Sequence, residues 1–245
     1  MRIAWVTSKQ VGHHVIGGAE MADADMISQA PEGWEVEVCR LRDLDQVMAA
    51  DKVVITNVRD EVLESVAVVA QKPHVVWTHD IESFDIRTKI LADSGTLVAL
   101  SQKHLDFLSP HTTPRRSTLN PGWMDTSLVP EGGARDQEIA LWAHRDIKHK
   151  GEKAAWTWAR EKGIPLRVVK NRPREEALAA MREATYFLLL SDILDPAPRA
   201  VMEAQLSGCE LVVNDQVGYY DESPDELRAR LDGAGKHFWD LVGSA

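Results

Sequence analysis

The stretch from Tyr186 to Asp215 limits what this chain can fold into more than any other part of the sequence. It opens with the short apolar run Tyr186–Leu190, which is typical of a strand buried in a parallel sheet. Pro198 suits the first turn of a helix, where an N–H group would lack a partner, and the helical pattern continues to about Ser207. Leu211–Val213 then indicates a second strand. The stretch therefore predicts a strand, a helix and a strand of an α/β fold.

Two carboxylates follow the first of these strands. Asp195 lies in the loop after the strand, and Glu203 lies further along, on the helix. Open α/β sheets bind ligands in the crevice at the carboxyl ends of their strands. A helix N-terminus suits an anion there, and carboxylates accept hydrogen bonds from hydroxyl groups. These groups together indicate a ligand with phosphate and sugar hydroxyls. A plain helix start with one solvated Glu is the alternative interpretation.

The bulk composition excludes several classes of protein. With 245 residues the chain has room for one large or two small domains. Its net charge of −10 opposes non-specific binding to nucleic acid or to an anionic membrane. The two cysteines, Cys39 and Cys209, lie far apart and argue against a disulfide framework or a zinc site. The N-terminus becomes polar too soon for a signal peptide, and no apolar run is long enough for a membrane span. We therefore expect a cytoplasmic protein.

Strand and helix patterns alternate along the chain in two series. The first series begins with the apolar run Ile3–Thr7, and a second begins at Ile139. Between them, from Ser109 to Arg135, the composition changes to Pro, Thr, Gly and Arg, as expected of a linker. We predict two Rossmann-like domains, 1–133 and 134–245, that face each other across a cleft.

The N-terminal series offers a glycine pair and an acidic pair. Gly17 and Gly18 precede a helix, so backbone could come close to an anionic ligand there, although a glycine pair alone is a weak signal. Asp23 and Asp25 form a D-x-D triplet within that helix. Residues two apart on a helix point about 200° apart and cannot share one metal ion. We therefore predict that both are solvated and that the chain has no metal site.

His79 follows an apolar strand that ends at Trp77. A histidine at the carboxyl end of such a strand is well placed for acid–base chemistry or for contact with a substrate hydroxyl. A surface histidine beside a capping acid is the alternative, and the sequence alone leaves both open.

A basic loop follows the strand that begins at Ile139. Its sequence, HRDIKHKG, includes Arg145 and Lys150 near the carboxyl end of that strand. Arg provides a planar fork of donors and Lys a point charge, which together suit a diphosphate. In a chain rich in acidic residues we favour a clamp for a diphosphate over a solvated basic loop.

Several of these stretches, in one order, resemble the motifs of one enzyme family. They are IGGAE at 16–20, HDIESFD at 79–85, LNPGWMDTSLVPE at 119–131, the Arg145, Lys150 and Gly151 positions of a "G-R-L-x-x-x-K-G" loop, and the Asp195 and Glu203 positions of an "E-x7-E" motif. The chain thereby resembles the retaining GT-B glycosyltransferases of the family-four type, in a shortened form. The resemblance spans nearly the whole chain.

This resemblance implies the GT-B fold and a metal-independent enzyme that moves a sugar, with retention, from a UDP- or GDP-sugar to an acceptor. The nucleotide sugar is then a co-substrate, and no cofactor is expected. The implied roles are as follows: Arg145 and Lys150 hold the diphosphate, Glu203 the ribose hydroxyls, Asp195 the hydroxyls of the transferred sugar, Gly17 and Gly18 the phosphate side, and His79 the sugar near the reacting carbon.

Two other functions stay open at this point. Asp195 is one methylene shorter than the Glu of the motif, and Pro196 and Pro198 remove backbone donors beside it. A nucleotide or nucleotide-sugar binding module without transfer activity is therefore the main alternative. An unrelated two-domain α/β protein that binds another phosphorylated ligand is the other. The acceptor is a small molecule, a glycan or, with lower weight, a modified nucleic-acid base beside the basic patch HTTPRR at 111–116.

Overall fold

A computed structural model describes residues 1–8, 11, 18–58, 61–79, 81, 84–133, 135, 137–144 and 148–245. The chain divides into two compact units. The first unit comprises Met1–Met124 and Gly233–Ala245, and the second comprises Asp125–Asp232. Each unit contains a parallel sheet with helices, so the predicted α/β fold class is confirmed.

The first unit is built on a parallel sheet of six strands with the order β2-β1-β3-β4-β5-β6. Its strands are β1 (Arg2–Thr7), β2 (Glu35–Cys39), β3 (Lys52–Asn57), β4 (His74–Trp77), β5 (Thr96–Ala99) and β6 (Arg116–Leu119). β1 and β3 are buried after their first residue, and β4 is buried throughout. Such continuous apolar runs form because both faces of a parallel sheet are covered.

Helices alternate with the strands of the first unit. They are α1 (Gly18–Ser28), α2 (Leu44–Ala49), α3 (Leu63–Val69), α4 (Ile86–Ser94) and α5 (Gln102–Leu108). Polar side chains begin two of these helices. The Asp85 carboxylate accepts hydrogen bonds from the first N–H groups of α4, and the Ser101 hydroxyl accepts one at the start of α5.

The second unit is built on a four-stranded parallel sheet with the order β10-β9-β7-β8. Its strands are β7 (Ala140–His144), β8 (Leu166–Lys170), β9 (Tyr186–Leu189) and β10 (Glu210–Val213). Its helices are α6 (Glu152–Lys162), α7 (Arg174–Glu183) and α8 (Arg199–Leu206). The last helix, α9 (Pro224–Ser244), begins in this unit and ends in the first.

Strand order reverses once in each sheet. The reversal lies between β1 and β3 in the first unit and between β7 and β9 in the second. At such a point the loops after the two strands run in opposite directions and leave a crevice for a ligand. Lys150 follows β7 and Asp195 follows β9, so both predicted residues belong to the loops that flank the reversal in the second unit.

The division into units differs from the predicted boundary at 133/134. Residues 125–133, which the prediction assigned to the first domain, belong to the second unit. The Thr126 hydroxyl donates to Asp232 over 2.9 Å, Arg228 donates to the Thr126 carbonyl over 3.0 Å, and the Gly133 N–H donates to the carbonyl of Arg182 over 3.2 Å. These contacts draw the chain from Asp125 onward into the second unit.

The C-terminal residues also differ from the prediction, which assigned them all to the second domain. Trp239 and Phe238 pack against Trp5 of β1, with ring centroids 5.9 and 5.8 Å apart. The Trp239 indole donates to the carbonyl of Met26 over 3.0 Å, and Lys52 reaches the carbonyl of Gly243 over 2.7 Å. The second half of α9 therefore contributes to the core of the first unit.

We predict that Trp239→Ala lowers the free energy of unfolding by about 3–5 kcal/mol, because a fully buried indole leaves a cavity. Trp156 on α6 is 51% exposed and is the matched control, since Trp156→Ala should change stability by at most about 0.5 kcal/mol. Urea unfolding of both variants measures the difference. Equal losses would contradict the assignment of the C-terminus to the first core.

Candidate functional site

Lys150 and Asp195 form an ion pair in the second unit, between the Lys150 ammonium and Oδ2 of Asp195. Their side chains are 17% and 13% exposed, so the pair is largely shielded but accessible. The loops after β7 and β9 thus bring one basic and one acidic candidate residue together. Arg145, the second basic residue of the predicted clamp, lies outside the described residues, as does Gly17.

The backbone of both residues is fixed by neighbouring loops. Asp195 forms a parallel bridge with Val217, in which its N–H donates to Gln216 over 2.7 Å and its carbonyl accepts from Gly218 over 2.8 Å. The carbonyl of Lys150 accepts a hydrogen bond of 2.9 Å from the Trp142 indole. Because the main chain is held on both sides, the two side chains are presented from a rigid frame.

The loops after β7 and β9 are also joined directly. The carbonyl of His149 accepts two hydrogen bonds of 3.0 Å, one from the N–H of Asp192 and one from the hydroxyl of Ser191. Ser191 and Asp192 follow β9, and His149 precedes Lys150. These bonds explain why the basic loop and the acidic loop meet, although they lie far apart in the sequence.

Gly151 sits where the two loops come closest. Its φ is 70°, in the left-handed region, and a Cβ atom there would lie 2.0 Å from the carbonyl oxygen of Leu190. Only glycine fits both the backbone conformation and the space. The glycine that ends the "K-G" part of the motif therefore has a structural reason: it lets α6 start against the end of β9.

We predict that Gly151→Ala lowers the free energy of unfolding more than Gly163→Ala. Both glycines have a φ of 70°, so each variant carries about 1–3 kcal/mol of backbone strain, but no atom lies within 4 Å of a Cβ placed at Gly163. The difference between the two variants in urea unfolding measures the clash with Leu190. Equal stability would show that the loop yields without cost.

Glu203 on α8 is buried and paired with two arginines. Its Oε1 atom accepts from Nε of Arg174 over 2.7 Å and from Nε of Arg199 over 3.3 Å. The alternative interpretation, a solvated Glu, is therefore wrong. Within the described part of the chain, Oε2 makes no hydrogen bond, and the buried Nη2 of Arg174 has no partner.

Sequence reasoning missed both arginines. Arg199 stands four residues before Glu203, a spacing that places two side chains on one helix face, so this partner could have been predicted. Arg174 begins α7 and reaches Glu203 only because α7 and α8 pack together, for which the sequence gives no local signal.

His144, the last residue of β7, is a neutral group beside the basic loop. Desolvation of the ring and the positive charge of Lys150 lower its pKa from 6.5 to about 3, and the hydrogen bond between Nε2 and the carbonyl of Leu188 opposes the shift only in part. The imidazole therefore adds no charge to the basic loop near neutral pH.

This lowered pKa makes stability depend on pH. The unfolded ring binds a proton below about pH 6.5 and the folded ring does so only near pH 3, so the unfolded state gains stability as pH falls. From pH 7 to pH 5 the group should cost about 2 kcal/mol. Replacement His144→Gln should remove this component of the pH dependence in urea unfolding. An unchanged dependence would contradict the shielded environment of the ring.

A second group of polar side chains lies in the first unit. It consists of Asp23 from α1, Thr56 from β3 and His79, which follows β4, and is called the Asp23 cluster below. Nε2 of His79 lies 2.8 Å from Oδ1 of Asp23, and the Thr56 hydroxyl donates to Oδ2 over 3.1 Å. The His79 ring also contacts the Trp77 ring in a tilted arrangement, with centroids 4.4 Å apart and an angle of 59° between the ring planes.

The prediction that Asp23 and Asp25 are solvated is wrong. They are 1% and 6% exposed, because α1 packs so that its acidic side chains are turned away from solvent. Two residues that cannot share one metal ion can still both be buried, because each carboxylate can form its own hydrogen bonds or ion pairs. Within the described ranges, no three His, Cys, Asp or Glu side chains are grouped as metal ligands.

The motif at 119–131 contacts Trp77, the residue that packs against His79. Asn120 is fully buried; its amide donates to the carbonyl of Ala234 over 2.9 Å, and its Oδ1 accepts from the N–H of Gly122 over 2.9 Å. Its carbonyl accepts from the Trp77 indole over 3.3 Å. Through this hydrogen bond the motif holds the Trp77 ring, which contacts the ring of His79.

Gly18, the remaining predicted residue, is the first residue of α1. A Cβ atom placed there would meet no described atom within 4 Å. The glycine therefore has no steric requirement from the described residues, and its role in binding a phosphate stays a prediction. Across the described residues, no helix is both long and apolar enough to span a membrane.

The architecture of these two units is the GT-B fold of glycosyltransferases. AviGT4, a glycosyltransferase involved in avilamycin A biosynthesis, shares 13% sequence identity with a TM-score of 0.58, over 100% of this chain and 98% of that chain. Anabaena Alr3699/HepE in complex with UDP and glucose shares 14% with a TM-score of 0.61, over 99% and 95%.

Sucrose-phosphate synthase from Thermosynechococcus elongatus has the same fold, with 12% identity and a TM-score of 0.62, over 99% of this chain and 94% of that chain. No protein-family model matches the sequence, and no curated protein matches it significantly. At these identities the likeness establishes the fold.

Proposed function

We propose that the protein is a glycosyltransferase that moves a sugar from a nucleotide-diphosphate sugar to an acceptor, with retention and without a metal ion. The observation that carries the proposal is the Lys150–Asp195 ion pair at the strand reversal of a GT-B fold. A cation and a carboxylate there match the two halves of a sugar phosphate, one anionic and one rich in hydroxyl groups.

Binding of the donor requires the ion pair to exchange partners. The Lys150 ammonium leaves Asp195 for the diphosphate, with Arg145 as the second cation and Gly17 and Gly18 beside the phosphates. The freed carboxylate of Asp195 then accepts hydrogen bonds from hydroxyls of the transferred sugar. Because the new partners are charged and hydrogen-bonded in the same way, the exchange replaces one set of strong interactions with another.

Glu203 is proposed to bind the ribose. Its Oε1 is engaged by Arg174 and Arg199, so Oε2 is the atom that accepts from the ribose hydroxyls. Two arginines hold the carboxylate in one orientation. Such preorganisation lowers the cost of ordering the site when the nucleotide binds.

The chemistry follows from the charge that develops on the leaving group. As the glycosidic bond breaks, the departing nucleoside diphosphate gains negative charge, and a fixed cation such as Lys150 binds it more tightly than it binds the ground state. The candidate residues named from the sequence include no separate nucleophile, so for a retaining transfer displacement on one face of the sugar suits the site better than a covalent intermediate. His79 is proposed to contact the sugar near the reacting carbon.

UDP is the first donor nucleotide to test. The solved structures of Anabaena Alr3699/HepE contain UDP and UDP-glucose, and their fold is shared over nearly the whole of both chains. A GDP-sugar is the other donor, and the acceptor is a small molecule, a glycan or a modified base. The cytoplasm is the proposed compartment.

A binding module without transfer activity is the second candidate. The short Asp195 is already paired with Lys150, and α8 starts at Pro198 without a side-chain cap. In such a protein the diphosphate would bind to Lys150 while the sugar stayed poorly oriented. Tight binding of nucleotide sugars without turnover of any of them would favour this candidate.

We predict that Lys150→Met lowers the kcat/KM for donor cleavage or transfer by about 10²–10³-fold, because a fixed charge on the leaving group is lost. Glu203→Gln should raise the KM for the donor with a smaller change in kcat. Lys236→Met is the control, since Lys236 is a solvent-exposed residue of α9. The measurement is turnover of UDP- and GDP-sugars, after a thermal-shift screen for binding.

Stability of the Glu203→Gln variant must be measured beside its activity, because the change removes the charge that Arg174 and Arg199 share. Undiminished turnover in both Lys150→Met and Glu203→Gln would defeat the site assignment. Failure of UDP and GDP to raise the melting temperature of the wild type would defeat the proposed function itself.

A further inference from the structure

The Asp23 cluster is not required by the packing of the first unit. Burying a carboxylate costs free energy that an apolar residue at the same place on α1 would not, and two hydrogen bonds offset only part of that cost. The side chains of Asp23 and His79 are only 2% and 6% exposed. A buried, costly carboxylate beside an imidazole indicates that Asp23 acts on the histidine.

The hydrogen bonds fix the chemistry of the His79 ring. An ionised carboxylate only accepts hydrogen bonds, so Nε2 of His79 carries the hydrogen and donates it to Oδ1 of Asp23. The tautomer with its hydrogen on Nε2 presents a lone pair at Nδ1. Among the described residues Nδ1 has no hydrogen-bond partner, so it is available to a hydroxyl group.

Thr56 and Trp77 complete the orientation. The Thr56 hydroxyl donates to Oδ2 of Asp23 and thereby holds the carboxylate in one rotamer. Trp77, itself fixed by Asn120, supports one face of the imidazole. Both the tautomer of the ring and its direction are therefore set before any ligand binds.

His74, the first residue of β4, is a histidine whose two ring nitrogens both hydrogen-bond to the backbone of its own unit, and it provides a comparison. Its Nδ1 lies 2.7 Å from the carbonyl oxygen of Lys72, and its Nε2 lies 2.7 Å from that of Leu91. Both nitrogens are used within the fold. Among the described residues, His79 uses one nitrogen, and uses it on a carboxylate, which is the arrangement that orients a functional imidazole.

We propose that Asp23 is a positioning residue that acts through His79 on a hydroxyl of the donor sugar, and that Thr56 holds Asp23 for this task. The proposal rests on the glycosyltransferase function proposed above. Nδ1 of His79 accepts a hydrogen bond from the sugar hydroxyl and makes no contact with the nucleoside diphosphate. Loss of Asp23 should therefore affect the sugar and spare the nucleotide.

The test compares UDP with UDP-glucose by titration calorimetry on the full chain. Asp23→Asn and His79→Ala should each weaken UDP-glucose binding by about 3- to 10-fold and leave UDP binding unchanged, since one oriented hydrogen bond to the sugar is lost. In the His79→Ala background, Asp23→Asn should have no further effect. Thr56→Val should reproduce the loss in part, and Thr56→Ser should restore wild-type affinity.

The outcomes separate this inference from the function on which it rests. Equal loss of UDP and UDP-glucose affinity, or additive losses in the double variant, would mean a structural role for Asp23 and overturn the inference. So would a wild type that binds UDP-glucose no more tightly than UDP. Turnover of UDP-glucose that Asp23→Asn leaves unchanged would overturn the inference alone. A wild type that binds neither UDP nor GDP would overturn the proposed function as well.

Discussion

Parallel pairing of the strands is the constraint on which the rest of the structure depends. In a parallel sheet every strand ends at the same edge, so the loops after β7 and β9 become neighbours even though β8 and two helices separate them in the sequence. The reversal of strand order then opens space between these loops. Lys150 and Asp195 meet there because of this topology. Gly151 has no side chain, and the backbone at Leu190 can therefore approach it closely.

The carboxylates of the two candidate sites are all paired, but in different ways. Asp195 is bound by a single flexible ammonium, and both partners remain partly exposed. Glu203 and Asp23 are more deeply buried, and each accepts hydrogen bonds from two different side chains. A single ammonium that is still accessible to solvent can be replaced by another cation or donor, whereas removing a partner of a more deeply buried carboxylate leaves an uncompensated charge. The structure thus separates a carboxylate that can change partners from two that stay in place.

The sequence was sufficient for the fold and for the loops that carry the site, because both follow from local patterns. Apolar runs ending at polar residues predicted β4, β7 and β9, and the proline and glycine signals predicted α8. What the sequence could not give were contacts set by the packing of separate elements. Arg174 reaches Glu203 across two helices, and Asp23 reaches His79 across α1 and the sheet. The Pro- and Gly-rich composition from 109 to 135 predicted a linker, but residues 116–119 form β6 of the first sheet, and the hydrogen bonds of Thr126 and Gly133 attach the residues after Met124 to the second unit.

Burial of the Asp23 carboxylate lowers the stability of the fold at a position where a functional site needs a carboxylate. A helix that covers a sheet is stabilised by apolar contacts, yet α1 places two aspartates among its buried residues. The free-energy cost of burying Asp23 falls at the end of the sheet where β3 and β4 finish, beside His79, which lies two residues after β4. Local rules of patterning fail most often where a site demands a group that packing alone would reject. The D-x-D triplet locates the two carboxylates in the sequence, but only their burial in α1 shows that the amphipathic pattern fails there and that Asp23 is directed toward His79.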